Sequence, residues 1–399
     1  MNNVNRIFYQ FFSLNYTVGE LRAWGDFLEF MGYNSVYLTP IFKSTDHSYD
    51  TEDFRQVDPR IGTNSEFKQL VAEFRSRGIS TVIDGVFNHV GRNFWAFTDV
   101  QQNGRNSKYW EWFKDLRMAS EVSDDTCRSK QYFPDDTVDY EGWEGNFDLV
   151  LLNHECEDLV QYLMECARFW IDEFEIGGIR LDVAYSLPSD FVRSLRDTVG
   201  PDFYLLGEQI HGDYKRLLEA GLDSVTDYNL YKALWSSVLD DNLFEANWTL
   251  EKHQEEYDGR RLLTFVDNHD TDRVASRYTA DDGVLNLDKL KKVYELLFLV
   301  PGDPSIFYGS EFALEDKCMR SIREDGAPDA DKFIRAKISV PRPEQFSNEL
   351  SEHIRSLIKT KKETPALWGW DYTKLEVQNQ YLKFARGGEI FEFNLASRG

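Results

Sequence analysis

The sequence predicts an α/β protein in which eight parallel strands close into a (β/α)8 TIM barrel. Short β-prone runs alternate with helical patterns along the chain, and this alternation is typical of a parallel sheet built from βα units. Eight such units can be counted, which is the number that closes a barrel of this kind. Charged residues follow several of the runs, at the carboxyl ends of strands, where the active site of such a barrel lies.

The predicted strands are short apolar runs that start near the amino terminus. They are Ile7–Phe11, Ser35–Leu38, Ser80–Ile83, Gly178–Leu181, Phe203–Leu206, Ser224–Tyr228, Leu262–Phe265 and Ser305–Tyr308. Apolar residues at helical spacing predict a helix after each strand. These helices are Val18–Met31, Ser65–Arg77, Asp158–Phe174, Pro188–Val199, Tyr214–Ala220, Tyr231–Leu239 (extended by Leu243–Tyr257), Leu287–Leu299 and Glu349–Lys359.

Two stretches interrupt this alternation. Residues 91–146 are aromatic, polar and acidic with weak periodicity, so we expect an inserted subdomain after the third strand. Near the end of the chain, Tyr381–Arg386 and Glu389–Leu395 alternate on either side of Gly387-Gly388, which predicts a hairpin in a short antiparallel β appendage. The expected division is barrel (1–90), insertion (91–146), barrel (147–363) and appendage (364–399).

The net charge of the chain excludes some classes of binding partner. The 399 residues include 45 Lys and Arg against 69 Asp and Glu, a formal net charge of -24. Such a surface repels phosphate backbones and anionic lipid, so we expect no nucleic acid and no membrane partner, whereas a neutral sugar is unaffected. No apolar run reaches the roughly 18 residues that a membrane-spanning helix needs.

The cysteines and the amino terminus bear on the compartment. Four cysteines without metal-binding spacing are typical of free thiols in a reducing cytoplasm: Cys127, Cys156, Cys166 and Cys318. The run Ile7–Phe12 is too short for the core of a signal peptide and lacks a cleavage site. We therefore expect a cytoplasmic protein, and a secreted form without its signal stays open as the alternative.

Four segments carry the polar residues at the predicted strand ends. They are Asp84–His89, Gly178–Asp182, Leu206–Glu208 and Phe265–Asp270, and together they supply several carboxylates, two histidines and one arginine. Cleavage of a glycosidic bond needs a carboxylate on one face of the sugar and a proton donor on the other. The set indicates this chemistry.

Three of these residues can be given roles from their positions. Arg180 and Asp182 are two apart on one strand, so both should project into the barrel mouth. The guanidinium should keep Asp182 ionised, as a nucleophile requires, although the pair alone would equally fit a structural ion pair. We expect Glu208 to be the general acid/base, with Asp182 and Asp270 nearby to raise its pKa; a rim glutamate in a salt bridge is the alternative.

The four segments follow the order of the four signature regions of the α-amylase superfamily, glycoside hydrolase family 13. The chain resembles this family from about Ile7 to Leu367. His47–Phe54, followed by Val57–Thr63, is similar to the segment after the second strand in cyclomaltodextrinases, neopullulanases and maltogenic amylases, and Gly207–His211 is similar to the same subgroup. The separate N-terminal β domain that helps that subgroup dimerise is not matched, so we expect a monomer or a weak oligomer.

The resemblance implies further residues that contact the sugar. Asp270 would be the third catalytic carboxylate, which holds two hydroxyls and distorts the ring. His89 and His269 would hold hydroxyls of the same unit, and Tyr49 would stack on the sugar at the nonreducing side of the cut. His211 would line the pocket.

Other positions matched by the resemblance are left open. Asp84 is expected to support Arg180 rather than to touch the substrate. After the eighth strand, the sequence does not choose among Asp329, Asp331 and Arg335 for a later sugar-binding pair.

No cofactor is expected for the chemistry, and a structural calcium is undecided. Asn88 matches an asparagine that ligates calcium in many α-amylases, whereas the subgroup resembled here often lacks the ion. Calcium takes about six to eight oxygens. Asp99, Asp115, Asp135 and Asp139 of the insertion, and Asp148 just after it, could supply further oxygens.

The resemblance implies a retaining hydrolase of α-1,4-glucosidic bonds in maltodextrins, starch fragments or cyclodextrins, acting by double displacement. A transglycosylase on the same scaffold, in which another sugar replaces water, is the alternative. A catalytically silent glycan-binding homologue is disfavoured because all three carboxylates are present. An aldolase barrel is disfavoured because the predicted strand ends carry no lysine for a Schiff base.

Overall fold

Eight parallel strands form a closed ring in the computed structural model, which describes residues 4–123, 126–257, 260–316 and 331–396. The strands are β1 (Phe8–Phe11), β2 (Ser35–Leu38), β3 (Ser80–Gly85), β4 (Gly178–Leu181), β5 (Tyr204–Gly207), β6 (Ser224–Thr226), β7 (Arg261–Thr264) and β8 (Asp303–Phe307). Each strand pairs with the next one along the chain, and β8 pairs with β1. The predicted (β/α)8 fold class is confirmed.

Helices follow the strands and cover the outside of the ring. They are Val18–Ala23, Gly25–Met31, Asn64–Ser76, Glu157–Phe174, Ser189–Val199, Lys215–Glu219, Tyr228–Leu239, Phe244–Tyr257, Val274–Arg277, Leu287–Leu299, Asp331–Ile334 and Glu349–Glu363. The first predicted helix is broken at Trp24. The predicted extension of the sixth helix is a separate helix, because Asp241 takes a positive φ of 52° between the two.

Two apolar layers stabilise the barrel. Inside the ring, Phe8, Val82 and Leu206 belong to a small buried cluster. Outside, each long helix packs on the strands through one apolar face, as when Glu157–Phe174 buries Trp170 and its neighbours at helical spacing. The polar side chains of the strand ends are left at one rim of the barrel.

A hairpin after β2 and the insertion after β3 rise above that rim. The hairpin pairs Phe42–Ser44 with Thr51–Val57. In the insertion, the strands are His89–Gly91, Arg117–Met118, Val138–Asp139, Gly142–Trp143 and Asn146–Leu151, with a helix at Trp95–Asn103. The first and last of these strands pair antiparallel with each other, so the insertion is closed at its base.

The appendage is a three-stranded antiparallel sheet of Thr373–Val377, Tyr381–Arg386 and Glu389–Asn394. The hairpin prediction is confirmed, and Gly387 and Gly388 have φ of 55° and 80° in its turn, a conformation that favours glycine. Arg386 is buried and donates to backbone carbonyls of the barrel side, which attaches the sheet. None of the helices in the described ranges is long and apolar enough to cross a membrane.

Candidate active site

One guanidinium gathers carboxylates from three neighbouring strand ends. The parallel register places Arg180 of β4 beside Asp84 of β3, and Glu208 directly follows β5. Arg180 Nη1 lies 2.8 Å from Asp84 Oδ2 and 2.7 Å from Asp182 Oδ1, and Nη2 lies 2.8 Å from Glu208 Oε1. All four side chains are almost fully buried, so these ion pairs form in a medium of low dielectric constant.

Burial shifts the protonation of the two predicted catalytic residues. Burial raises the pKa of Asp182 well above its usual range, and Arg180 acts in the opposite direction. Burial also raises the pKa of Glu208; Arg180 lowers it and Asp270 adds to the rise. Burial therefore acts against the ionisation of Asp182 that we expect from Arg180. Because three carboxylates share one cation, the protonated form of Asp182 or Glu208 is favoured more than for an ordinary carboxyl group.

The second oxygen of Asp182 is free to react. Among the described residues, Asp182 Oδ2 has no hydrogen-bond partner although it is buried. The His89 Nε2 atom lies 4.0 Å away. Burial lowers the pKa of His89 to about 3, so its imidazole is neutral, and Trp143 of the insertion packs on it at 5.3 Å between ring centroids. Burying a polar atom without a hydrogen-bond partner costs free energy, and such atoms are typical of sites that bind a ligand.

A strained backbone position fixes Glu208. The Val183 N–H donates to Glu208 Oε2 at 2.8 Å. Val183 has a φ of 48°, which is unfavourable for a β-branched residue and costs on the order of 1–3 kcal/mol. Sequence reasoning missed Val183, because its residue type disfavours the conformation that it adopts.

A second cluster of polar side chains surrounds His269, opposite the cluster around Arg180. The Gln10 amide nitrogen lies 2.7 Å from His269 Nδ1, and the Tyr49 hydroxyl lies 2.6 Å from Nε2. Asp270 Oδ2 lies 2.9 Å from the same Nε2, and Arg335 Nη2 donates to Asp270 Oδ1 at 2.8 Å. Asp270 follows β7 in a loop instead of closing the strand, and its side chain is 35% exposed.

The environment keeps Asp270 ionised. Burial tends to raise its pKa, but the charges of His269 and Arg335 outweigh it and hold the pKa well below the usual range. The pKa of Asp270 is therefore shifted in the opposite direction to the pKa values of Asp182 and Glu208, so the environments of the three acids differ.

Several neighbours of these acids were not identified from the sequence. Tyr37 of β2 donates to Asp84 Oδ2 at 2.7 Å, and Gln10 of β1 holds His269. A buried polar residue in an otherwise apolar strand was the available signal for Gln10. Of the open candidates after β8, the structure brings Arg335 to Asp270; Asp329 and the side chain of Asp331 lie outside the described residues.

The histidines 47 and 211 lie farther out. His47 Nδ1 is 3.9 Å from Asp50 Oδ1, next to Tyr49. His211 is exposed and accepts a hydrogen bond from the Gln209 amide through its backbone oxygen. It lines an open groove beside the barrel mouth, and its described contacts do not include Asp182, Glu208 or Asp270.

The calcium ligands considered above do not converge. Asp139 is occupied by Arg117 Nη2 at 2.6 Å, by Arg128 Nε at 3.3 Å, and by two backbone N–H groups. Asn88 Nδ2 lies 3.3 Å from His89 Nδ1. Across the described part of the chain, no group of three or more His, Cys, Asp or Glu side chains is placed to hold a metal ion.

Comparison with known proteins identifies the family of this chain. A family described as alpha amylase, catalytic domain, matches residues 25–368. A cyclomaltodextrinase from Bacillus sp is 35% identical over 299 residues, which cover 73% of this chain and 51% of that protein. A maltogenic alpha-amylase from Bacillus acidopullulyticus is 30% identical over 356 residues, which cover 86% of this chain and 55% of that protein. The chain thus spans about half the length of these curated relatives.

Solved structures share the whole architecture. The ligand-free cyclic alpha-maltosyl-(1-->6)-maltose hydrolase from Arthrobacter globiformis superimposes with a TM-score of 0.82 at 26% identity, over 96% of this chain and 89% of that one. The ordered motifs, the barrel and the match over residues 25–368 show that the chain belongs to the α-amylase family of glycoside hydrolases, glycoside hydrolase family 13.

Proposed function

We propose that this chain is a retaining glycoside hydrolase that cleaves α-1,4-glucosidic bonds in maltodextrins, starch fragments or cyclodextrins. The observation that carries the proposal is the unpartnered, buried Oδ2 of Asp182 next to Glu208, with both carboxyl groups on the guanidinium of Arg180. This shared partner is compatible with the carboxyl separation of about 5–5.5 Å that retaining enzymes use. The names of the relatives, cyclomaltodextrinase and maltogenic alpha-amylase, support the substrate class.

The proposed reaction starts with a proton on Glu208, a state that its raised pKa favours. Glu208 gives this proton to the glycosidic oxygen while Asp182 Oδ2 bonds to the anomeric carbon, and the leaving sugar departs as an alcohol. Water then loses a proton to Glu208 and attacks the same carbon. Asp182 is released as a carboxylate, and the configuration at the anomeric carbon is retained.

The remaining residues would bind the sugar unit that reacts. His89 and His269 would offer ring nitrogens to hydroxyls, and the Asp270 carboxylate would accept hydrogen bonds from two of them. Tyr49 supplies a ring that the hydroxyl contact to His269 holds in place. Arg180 is a binding residue in the sense that it positions both reacting carboxylates.

The test is turnover of the Asp182→Asn variant on maltotriose, cyclodextrin, pullulan and starch, with products separated by chromatography. We expect kcat to fall by roughly 10⁴-fold, because the amide cannot form the glycosyl ester, and the far-UV circular dichroism to stay unchanged. Appreciable hydrolysis by this variant would contradict the nucleophile assignment. Products longer than the substrate would favour the transglycosylase alternative, and repeating the wild-type assay with a chelator tests for calcium.

We also propose a cytoplasmic location. The described cysteines Cys127, Cys156 and Cys166 are free thiols, which supports a reducing compartment; Cys318 lies outside the described residues. Fractionation of the source cells, with a thiol titration of the purified protein, tests this location.

A further inference from the structure

A groove of about 570 Å³ lies beside the barrel mouth and is not used by the reaction described above. Three elements form it: the loop Ile210–Gly212 after β5, the first turn of helix Tyr228–Leu239, and one face of helix Phe244–Tyr257. Because the groove is open to solvent and continuous over these elements, a chain-like ligand can lie along it.

One face of helix Phe244–Tyr257 lines this groove. Its lining residues recur every three to four positions, which places them on one face. They are Glu245, Trp248, Thr249, Lys252, His253 and Glu256. The side chain of Trp248 is 62% exposed, and Phe244, one turn earlier, is 46% exposed. Phe244 and Trp248 are four positions apart on the helix, so the two exposed rings are neighbours, and a contiguous exposed apolar patch is more informative about binding than a single exposed ring.

The polar groups of the groove balance in charge. Glu245 pairs with Lys232 and accepts a hydrogen bond from Ser236 Oγ at 2.8 Å. Lys252 pairs with Glu256 at 3.0 Å. Donors and acceptors are therefore present without a net field, in a chain whose overall charge is -24. Such a surface fits a neutral ligand with many hydroxyl groups better than an ion.

The groove is connected to the catalytic residues. The Tyr228 hydroxyl, at the inner end, accepts a hydrogen bond from Asn268 Nδ2 at 2.9 Å. Asn268 Oδ1 in turn accepts from the Asp270 backbone N–H at 2.9 Å. Tyr228 therefore belongs to the groove and, through Asn268, is a neighbour of Asp270, while Trp248 lines the same groove.

We propose that Trp248 is a chain-length-determining residue, which stacks its indole on a distal glucose unit of a long α-glucan. The inference rests on the proposed function, because it takes the reacting bond to lie at Asp182. An aromatic plane next to balanced donors and acceptors is the combination that binds the flat C–H face of a sugar and the hydroxyls at its edge. The consequence is a preference for substrates that are long enough to occupy the groove.

The experiment compares maltotriose with maltoheptaose in Trp248→Ala and Trp248→Phe. We expect Trp248→Ala to lower kcat/KM for maltoheptaose by about fivefold to tenfold, mainly through KM, and kcat/KM for maltotriose by less than about twofold. Trp248→Phe should restore most of the loss, since a ring remains. Tyr132→Ala is the matched control, because Tyr132 is an exposed aromatic residue, 59% accessible, on the insertion.

Equal losses on both substrates, or no loss on either, would overturn the inference. Calorimetric binding of maltoheptaose in the Asp182→Asn background separates it from the proposed function. One outcome is that the wild type fails to hydrolyse glucans and yet binds maltoheptaose about fivefold or more tightly with Trp248 than with alanine at that position. That result would contradict the proposed hydrolase function and would support the proposed role of Trp248 in binding. If Trp248→Ala leaves binding unchanged and instead abolishes self-association in sedimentation, the groove serves a protein partner and the inference is wrong.

Discussion

At the scale of single residues, the centre of the site depends on the geometry of one side chain. Arg180 reaches Asp84, Asp182 and Glu208 with two nitrogens, which only a planar guanidinium can do. Its positive charge opposes the effect of burial on the pKa of both Asp182 and Glu208. Arg180 therefore limits the rise that burial causes in both pKa values.

Replacing Arg180 with lysine should lower activity and move its pH dependence. An ammonium group cannot hold all three carboxylates, so we expect kcat to fall by at least about tenfold. Because Arg180 lowers the pKa of Asp182, its weakening raises that pKa, and the acid limb of kcat/KM should shift to higher pH. The measurement is a pH profile of kcat/KM. Arg193→Lys, an exposed arginine paired with Asp190, is the control; an unshifted acid limb in Arg180→Lys would contradict the assignment.

At the scale of elements, the seam between β1 and β8 closes the barrel and contains a buried acid. Glu311 follows β8, is fully buried, and accepts a hydrogen bond from Tyr9 of β1 at 2.6 Å. Burial raises the pKa of Glu311 to about 7, against 4.5 for the ordinary side chain. The seam is therefore most stable with this carboxyl group protonated.

This shift predicts a stability that depends on pH. Below pH 4.5 Glu311 is protonated in both the folded and the unfolded chain; between that pH and about 7 only the folded chain keeps the proton. The contribution of Glu311 is thus fully present below the unfolded pKa and is lost as pH rises through the folded pKa, on the order of 3 kcal/mol in total. Urea unfolding at pH 5 and pH 8 should show this loss in wild type and a smaller one in Glu311→Gln. Glu344→Gln, at an exposed site, should behave as wild type; equal pH slopes in all three proteins would refute the prediction.

At the scale of the whole molecule, the formal charge of -24 acts on stability rather than on a neutral substrate. We expect kcat/KM for maltotriose to be nearly independent of ionic strength between about 20 and 500 mM NaCl, and Tm to rise as salt screens the self-repulsion. For an anionic glucan such as carboxymethyl-amylose, kcat/KM should increase with salt. A strong salt dependence with maltotriose, or a falling Tm, would show that specific ion pairs dominate instead.

The alternation of apolar runs was sufficient to predict the barrel, because each buried strand and each one-sided helix leaves a local pattern. The alternation did not locate the ends of every element. The predicted β5 starts one residue before the observed strand, and the predicted β7 starts one residue after it. Thr373–Val377 was missed because Leu375 is exposed and the strand does not alternate cleanly between buried and exposed positions. In these cases, pairing between strands that are far apart in the sequence determines where a strand forms and ends. A local sequence pattern carries no information about that pairing.

The site was predictable where its residues lie in motifs at strand ends and unpredictable where contacts form across the barrel. The three carboxylates and Arg180 were named from their segments. Gln10 comes from the opposite end of the chain to His269, and Arg335 reaches Asp270 from beyond β8. Val183 adopts a conformation that its side chain disfavours, so only the assembled structure reveals its contact with Glu208.

The pairing of His89–Gly91 with Asn146–Leu151 has a consequence for how this scaffold can diversify. Leu151 pairs with His89, so the two ends of the insertion are held together beside Asp182, whose Oδ2 lies 4.0 Å from His89 Nε2. The residues between these two strands are therefore attached to the barrel at one fixed position. The intervening chain can be exchanged or resized, by recombination or by an engineer, while the imidazole that faces Asp182 keeps its place.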